Sequence, residues 1–164
     1  MIRRSGLATL GIALAVSVTA CATDGSGELE FGGDPVTRCV RIAEGSSTVV
    51  GEVVRAPADD DLVVKKLSLE GAQGVAATEA FVVLLNGRPP IVTANYPPAD
   101  NQTWESRVPA ENARIRAGEQ ANLLLVVNRG GSSDGSATGM RLDYADGSQT
   151  GTTSYQFRTA CEAA

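Results

Sequence analysis

Apolar residues along this chain recur with the two-residue period of half-buried strands rather than with the period of helices. Met140, Leu142 and Tyr144 alternate with Arg141 and Asp143, and Tyr155, Phe157, Thr159 and Cys161 alternate with Gln156 and Arg158. Each run offers one face to a core and one to water. From Val36 onward, the segments that favour strands are 36–42, 48–55, 62–69, 75–85, 122–128, 139–144 and 152–161. Turn material separates them: Ala-Pro-Ala-Asp-Asp-Asp at 56–61, Asn86-Gly87, Arg-Ala-Gly-Glu at 116–119, Gly130-Gly131 and Asp146-Gly147. About seven short strands without helical periodicity predict an all-β domain over 36–164, an immunoglobulin-like β-sandwich. Ala145-Asp146-Gly147-Ser148 suits a hairpin turn, because Asp-Gly tolerates positive φ, and the strands flanking it are expected to form the last hairpin. Trp104 sits in an irregular stretch, so the true-immunoglobulin cue of a Trp between two cysteines is not met and only the architecture is inferred.

Two strands break the alternation. Residues 81–85 and 123–127 are apolar on both faces, whereas an antiparallel strand with one wet face is not. Something must cover the second face of each. One reading is that the segment 88–112, which holds five of the seven prolines together with Tyr96 and Trp104, folds across the sheet as a lid. The other is that Val82, Leu84, Leu124 and Val126 lie side by side on an outer face and form a docking patch for a partner. The lid is preferred, because monomeric domains rarely leave such a patch open.

Composition narrows the chemistry. The chain has 164 residues, 43% apolar and 20% charged, which suits one domain with a real core. It contains no histidine, which removes nucleophilic catalysis with a histidine base and the usual zinc sites. A formal charge of -5, with Lys65-Lys66 the only lysine pair, argues against a nucleic-acid partner. Asp59, Asp60 and Asp61 lack calcium-loop spacing and read as a solvated turn. Asn101-Gln102-Thr103 is formally a glycosylation sequon. Ser132, Ser133 and Ser136 lie in a turn with no base nearby in sequence, and no Gly-rich phosphate loop opens a helix. Neither a metal nor a cofactor is expected, and no catalytic residue is singled out. Paired carboxylates for glycoside hydrolysis stay open, because such a pairing is spatial.

The N-terminus carries the most specific signal. Arg3 and Arg4 precede an uncharged apolar stretch at 5–20, the layout of a secretory signal peptide and short for a membrane-spanning helix of about 20 residues. It ends in Val18-Thr19-Ala20-Cys21, which resembles the lipobox of bacterial lipoproteins at all four positions. The resemblance covers the first 21 residues. It implies that 1–20 is cleaved, that Cys21 is diacylated on sulfur, and that the protein is exported and lipid-anchored to the outer face of the cell membrane. The Arg pair also looks like part of a twin-arginine signal, so the export route stays open. Loss of Arg3 and Arg4 leaves the mature chain more acidic than the precursor. With Cys21 lipidated, Cys39 and Cys161 remain, and in an oxidising compartment they are expected to pair. Residues 21–35 then form the lipidated N-terminus and a Gly- and acid-rich tether. The pattern ARIRAGEQANLLLVV at 113–127 is similar to a turn and core strand of small actinobacterial envelope lipoproteins, and 12 Arg against 2 Lys fits a GC-rich genome. The implied function is a non-enzymatic envelope binding or assembly module, held to the membrane by lipid, with an envelope protein or cell-wall glycan as its partner. The alternatives are a self-associating structural protein and a carboxylate-based hydrolase.

Overall fold

A computed structural model describes residues 28–131 and 133–161. The leader, Cys21 and the first part of the expected tether lie outside the described residues. The strands in chain order are β1 (Glu30–Phe31), β2 (Val36–Arg41), β3 (Ser47–Arg55), β4 (Leu62–Glu70), β5 (Ala76–Leu84), β6 (Thr93–Asn95), β7 (Val108–Pro109), β8 (Arg114–Ile115), β9 (Gln120–Asn128), β10 (Gly135–Ala137), β11 (Gly139–Tyr144), β12 (Gly147–Thr150) and β13 (Thr153–Arg158). The one helix among the described residues, α1 (Gln102–Glu105), is capped by Asn101, whose side chain accepts from the Trp104 amide. That helix is far too short to cross a membrane. The fold is therefore all-β, and every segment expected to be a strand contains one.

The largest sheet runs β1-β3-β9-β5-β7, with β6 also on β3. Against it stand a row β12-β11-β4-β8 and a row β10-β13-β2. Only Thr138 separates β10 from β11, so these two rows meet along one run of chain. Between the layers Val50, Val54, Leu123 and Leu125 pack with Val64, Met140, Leu142 and Phe157 as one buried cluster. β2 and β13 pair in parallel, Cys39 opposite Gln156. A disulfide joins Cys39 to Cys161 across a Cα separation of 5.9 Å and 122 positions of sequence. Buried Arg129 reinforces that end, donating to the carbonyls of Ile42 and Ser133 and to the Thr159 hydroxyl, all at 3.0 Å.

Three expectations change. The Ala145-Asp146 turn does make a hairpin, but its return strand is β12, with Tyr144 opposite Gly147. β13 instead crosses to pair with β10 and β2, because the Gly151–Thr152 step redirects the chain after β12. Residues 30–31, expected within the tether, form β1: Phe31 is buried, and the Thr152 hydroxyl donates to the Gly33 carbonyl. Phe31 in the core, Leu29 packed beside it, the β1–β3 pairing and the Glu30–Arg55 ion pair together dock that segment.

The third change concerns the four residues expected on one outer face. Phe81 pairs with Leu124 and Val82 with Leu123, so Val82 and Leu124 point to opposite faces of the sheet. Val82 is in the inter-sheet core and Leu84 packs against it, whereas Leu124 and Val126 face the other way. On that second face the segment 88–112 is indeed a lid: Ile91 and Trp104 pack on Val49, Val83, Leu124 and Val126, forming a second buried cluster. Buried Asn122 pins the lid, accepting from the Ile91 amide at 2.7 Å while its amide group donates to the Glu52 carbonyl at 3.1 Å. Gly51 donates its N–H to Val92 O at 2.9 Å, and a Cβ there would collide with the Ile91 carbonyl and reach Leu124 Cδ2 at 2.7 Å.

Two outcomes follow. Gly51→Ala is expected to destabilise the domain by about 1–3 kcal/mol, read as a lower urea midpoint, because backbone rather than a flexible tip is in the way. Cys39→Ser with Cys161→Ser is expected to cost about 2–5 kcal/mol in the same titration, and reduction of the native protein to give the same shift.

Candidate functional site

The two layers do not close against each other along one side. β3 has nine residues, and its outer edge is taken by β6 at Val50 and before, and by β1 at Val54 and beyond. β2 ends the opposing row with one edge unpaired among the described residues. A groove therefore runs between β2 and the lid strand β6. Its lower part is a cleft of about 320 Å3 with Arg38 and Thr153 on one wall, Pro90 and Val92 on the other, and Gly51 and Glu52 between them. A middle part of about 300 Å3 lies between Val40, Arg41 and Thr93–Asn95. The upper part, about 530 Å3, is bounded by Arg41, Ser46, Ser47, Asn95, Tyr96 and Thr159.

The groove combines unsatisfied charge with open apolar surface. The side chains of Arg38 and Arg41 make no hydrogen bond or ion pair among the described residues, and the Arg38 Nε is buried without an acceptor. Four large apolar side chains stand exposed in the described residues, and three of them line this groove: Val36 at 46%, Tyr96 at 38% and Val92 at 37%. Tyr96 is held upright, its hydroxyl donating to Glu79 at 2.8 Å and its ring edge-on to Trp104 at 6.0 Å. Arg107 lies over the Trp104 ring at 4.1 Å and completes that support.

Behind Arg38 the groove wall holds a buried polar pair. The alternation of β3 sends Val50, Glu52 and Val54 inward, so Glu52 enters the core at 8% exposure. The Tyr155 hydroxyl donates to Glu52 Oε1 at 2.5 Å. Burial pushes the Tyr155 phenol well above its ordinary value; the hydrogen bond to Glu52 and that carboxylate's charge add to the rise, and Arg38 opposes it. A phenol so held is a fixed donor and not a proton carrier at neutral pH.

The residues singled out from sequence are elsewhere. Val82, Leu84, Leu124 and Val126 lie in the two cores, Cys39 and Cys161 in the bridge, and Cys21 outside the described residues. Asp61 does more than face water: it accepts from the Ala117 amide at 2.9 Å and pairs with Arg114. Sequence reasoning missed Arg38, Arg41, Glu52 and Tyr96. The acid within Val-Val-Gly-Glu-Val-Val at 49–54 was the available signal for one of them.

No protein-family model matches the chain, and a search of curated proteins finds no match. A solved structure with partial likeness is "Structure of Vibrio cholerae VesB protease", at 13% identity and a TM-score of 0.31, over 84% of this chain and 33% of that one. The chain thus spans about a third of that protein, and a likeness at this level carries no argument about fold or activity.

The buried phenol sets an alkaline limit. In the unfolded chain Tyr155 loses its proton near its ordinary value of 10, whereas the folded protein retains it. Stability from this group is therefore complete below pH 10 and falls as pH rises above it. Tyr155→Phe is expected to flatten that alkaline fall. At neutral pH it is expected to cost about 1–3 kcal/mol, since the Glu52 carboxylate loses its donor in a buried position; thermal melts from pH 7 to 11 check both.

Proposed function

We propose that this protein is an exported, lipid-anchored envelope protein whose disulfide-closed sandwich serves as a binding module and not as an enzyme. The observation that carries the reading is the Cys39–Cys161 bridge. Structural disulfides persist in oxidising compartments, and pairing of these two leaves Cys21, at the end of Val-Thr-Ala-Cys, as the one cysteine free for acylation. Two acyl chains bind a bilayer far more stably than one, at about 0.8 kcal/mol per buried methylene. The groove supports recognition over catalysis: of its carboxylates Glu52 holds the Tyr155 hydroxyl and Asp34 lies at the lower end, and its arginine side chains make no hydrogen bond or ion pair among the described residues.

We also infer an immunoglobulin-like arrangement for the sandwich. With the seven long strands β2, β3, β4, β5, β9, β11 and β13 lettered A to G, B-E-D form one sheet. C and F are neighbours in another row, as in the immunoglobulin pattern, whereas G does not pair with F, whose other edge β12 takes, and is linked to that row through β10 and Thr138. Strand A departs from it by pairing in parallel with G alone.

In a bacterial host, Cys21→Ala is expected to move the protein from the membrane fraction into the medium or the soluble envelope fraction. Intact mass of the mature wild-type protein is expected to show a chain beginning at Cys21 with added acyl mass and a further 2 Da on reduction. A mature chain that begins elsewhere, or unchanged membrane retention of the variant, overturns the anchor.

A further inference from the structure

Among the described residues the groove is bordered by two strand edges that lack partners. There β2 pairs only with β13, and β6 only with β3, so their facing edges leave backbone N–H and C=O groups open along the groove. An extended polypeptide satisfies such groups by adding as a strand, a recognition mode that a glycan cannot imitate. Val36, Val92 and Tyr96 supply exposed apolar contacts for alternate side chains, spread from one end of the groove to the other.

Charge selects the peptide. The free guanidiniums are Arg38 at the lower cleft and Arg41 at the middle and upper parts. Their acidic neighbours in the groove are Glu52, whose Oε1 is taken by Tyr155, and Asp34 at its lower end. Charges on an edge strand commonly serve to prevent pairing between copies, and two arginines on β2 do oppose a second β2. They do not oppose a strand that carries carboxylates. An arginine kept from its obvious partners, with one nitrogen already desolvated, gains more from an incoming carboxylate than a solvated one does.

We propose that the groove between β2 and β6 binds an extended acidic peptide segment of a partner protein, which adds as a strand beside β2 and places carboxylates on Arg38 and Arg41. This names the partner chemistry of the binding-module reading and rests on that reading, but it does not depend on the lipid anchor.

The test uses the full exported chain with its disulfide closed. The probe is a synthetic N-acetylated peptide of seven residues with Glu at its third and sixth positions and Val elsewhere, which matches the three-residue spacing that puts Arg38 and Arg41 on opposite faces of β2, with fluorescence anisotropy and amide NMR as readouts. The Glu peptide is expected to bind at micromolar to millimolar concentration and to shift the amides of residues 36–41 and 93–95. Arg38→Glu with Arg41→Glu is expected to weaken it about tenfold or more and to confer binding of the matched Lys peptide, the scale of two ion pairs lost. N-methylation of alternate peptide amides is expected to abolish binding, although the charge is unchanged. Should Arg38→Glu fail to fold beside Glu52, as a thermal melt would report, Arg41→Glu alone is expected to give about a threefold loss. The proposal is overturned by absence of Glu-peptide binding at millimolar concentration, by indifference to the arginine substitutions or by indifference to N-methylation. It is equally overturned if polygalacturonate binds in preference to the peptide, or if sedimentation shows a dimer through β2. The polygalacturonate result would leave the binding-module reading standing, and none of these outcomes touches the Cys21 test of the anchor.

Discussion

Strand β9 has no face for water. Ala121, Leu123, Leu125 and Val127 point into the inter-sheet core, and Asn122, Leu124 and Val126 point away from it, all at 1% exposure or less. A strand of this kind is stable only if both faces are covered. One cover is the opposing rows of strands. The other has to come from the chain itself, and the segment 88–112 supplies it by inserting Ile91 and Trp104. Side chains of this class contribute about 1.5–3 kcal/mol each on full burial. The remaining features of that face are conditions for the lid to sit close: a glycine at 51 where the lid backbone passes, and a buried asparagine at 122 that meets the lid's amide.

The same requirement shapes the groove. The lid must leave β5 at Leu84, cross the outer face and return, and on its way it lays β6 on the outer edge of β3. That edge is thereby closed over Thr48–Val50 only. β1 closes it over Val54–Arg55, and neither reaches β2 in the other layer. The open side is thus a by-product of covering β9, and it falls where the two edge strands face each other with edges that are unpaired among the described residues.

What was legible in the sequence was whatever a short window contains. Period-two runs placed the long strands, and the doubly apolar runs at 81–85 and 123–127 called for a lid, which the proline-rich stretch provides. Which side chains share a face across strands depends on register, and a single-residue offset between β5 and β9 separated Val82 from Leu124. The return strand after Asp146 was misjudged for a related reason. A turn signal fixes where a strand ends but not which neighbour the next one chooses, and the competition between β12 and β13 for β11 is settled by packing at long range. The arginines of the groove gave no local signal at all, since a solvated arginine and one that faces an open strand edge look alike in one dimension.

Whether such a groove can bind depends on how little it must rearrange. Its β2 wall is fixed by the disulfide to the C-terminal segment, by the six-residue parallel register with β13 and by Arg129 at the Ile42 end. Its lid wall is fixed by Asn122, Gly51 and the aromatic support of Tyr96. The inner wall is fixed by the Glu52–Tyr155 hydrogen bond, which crosses from one layer to the other. A buried acid that looks like a stability liability in an apolar strand therefore ties the layers together at the wall where Arg38 stands.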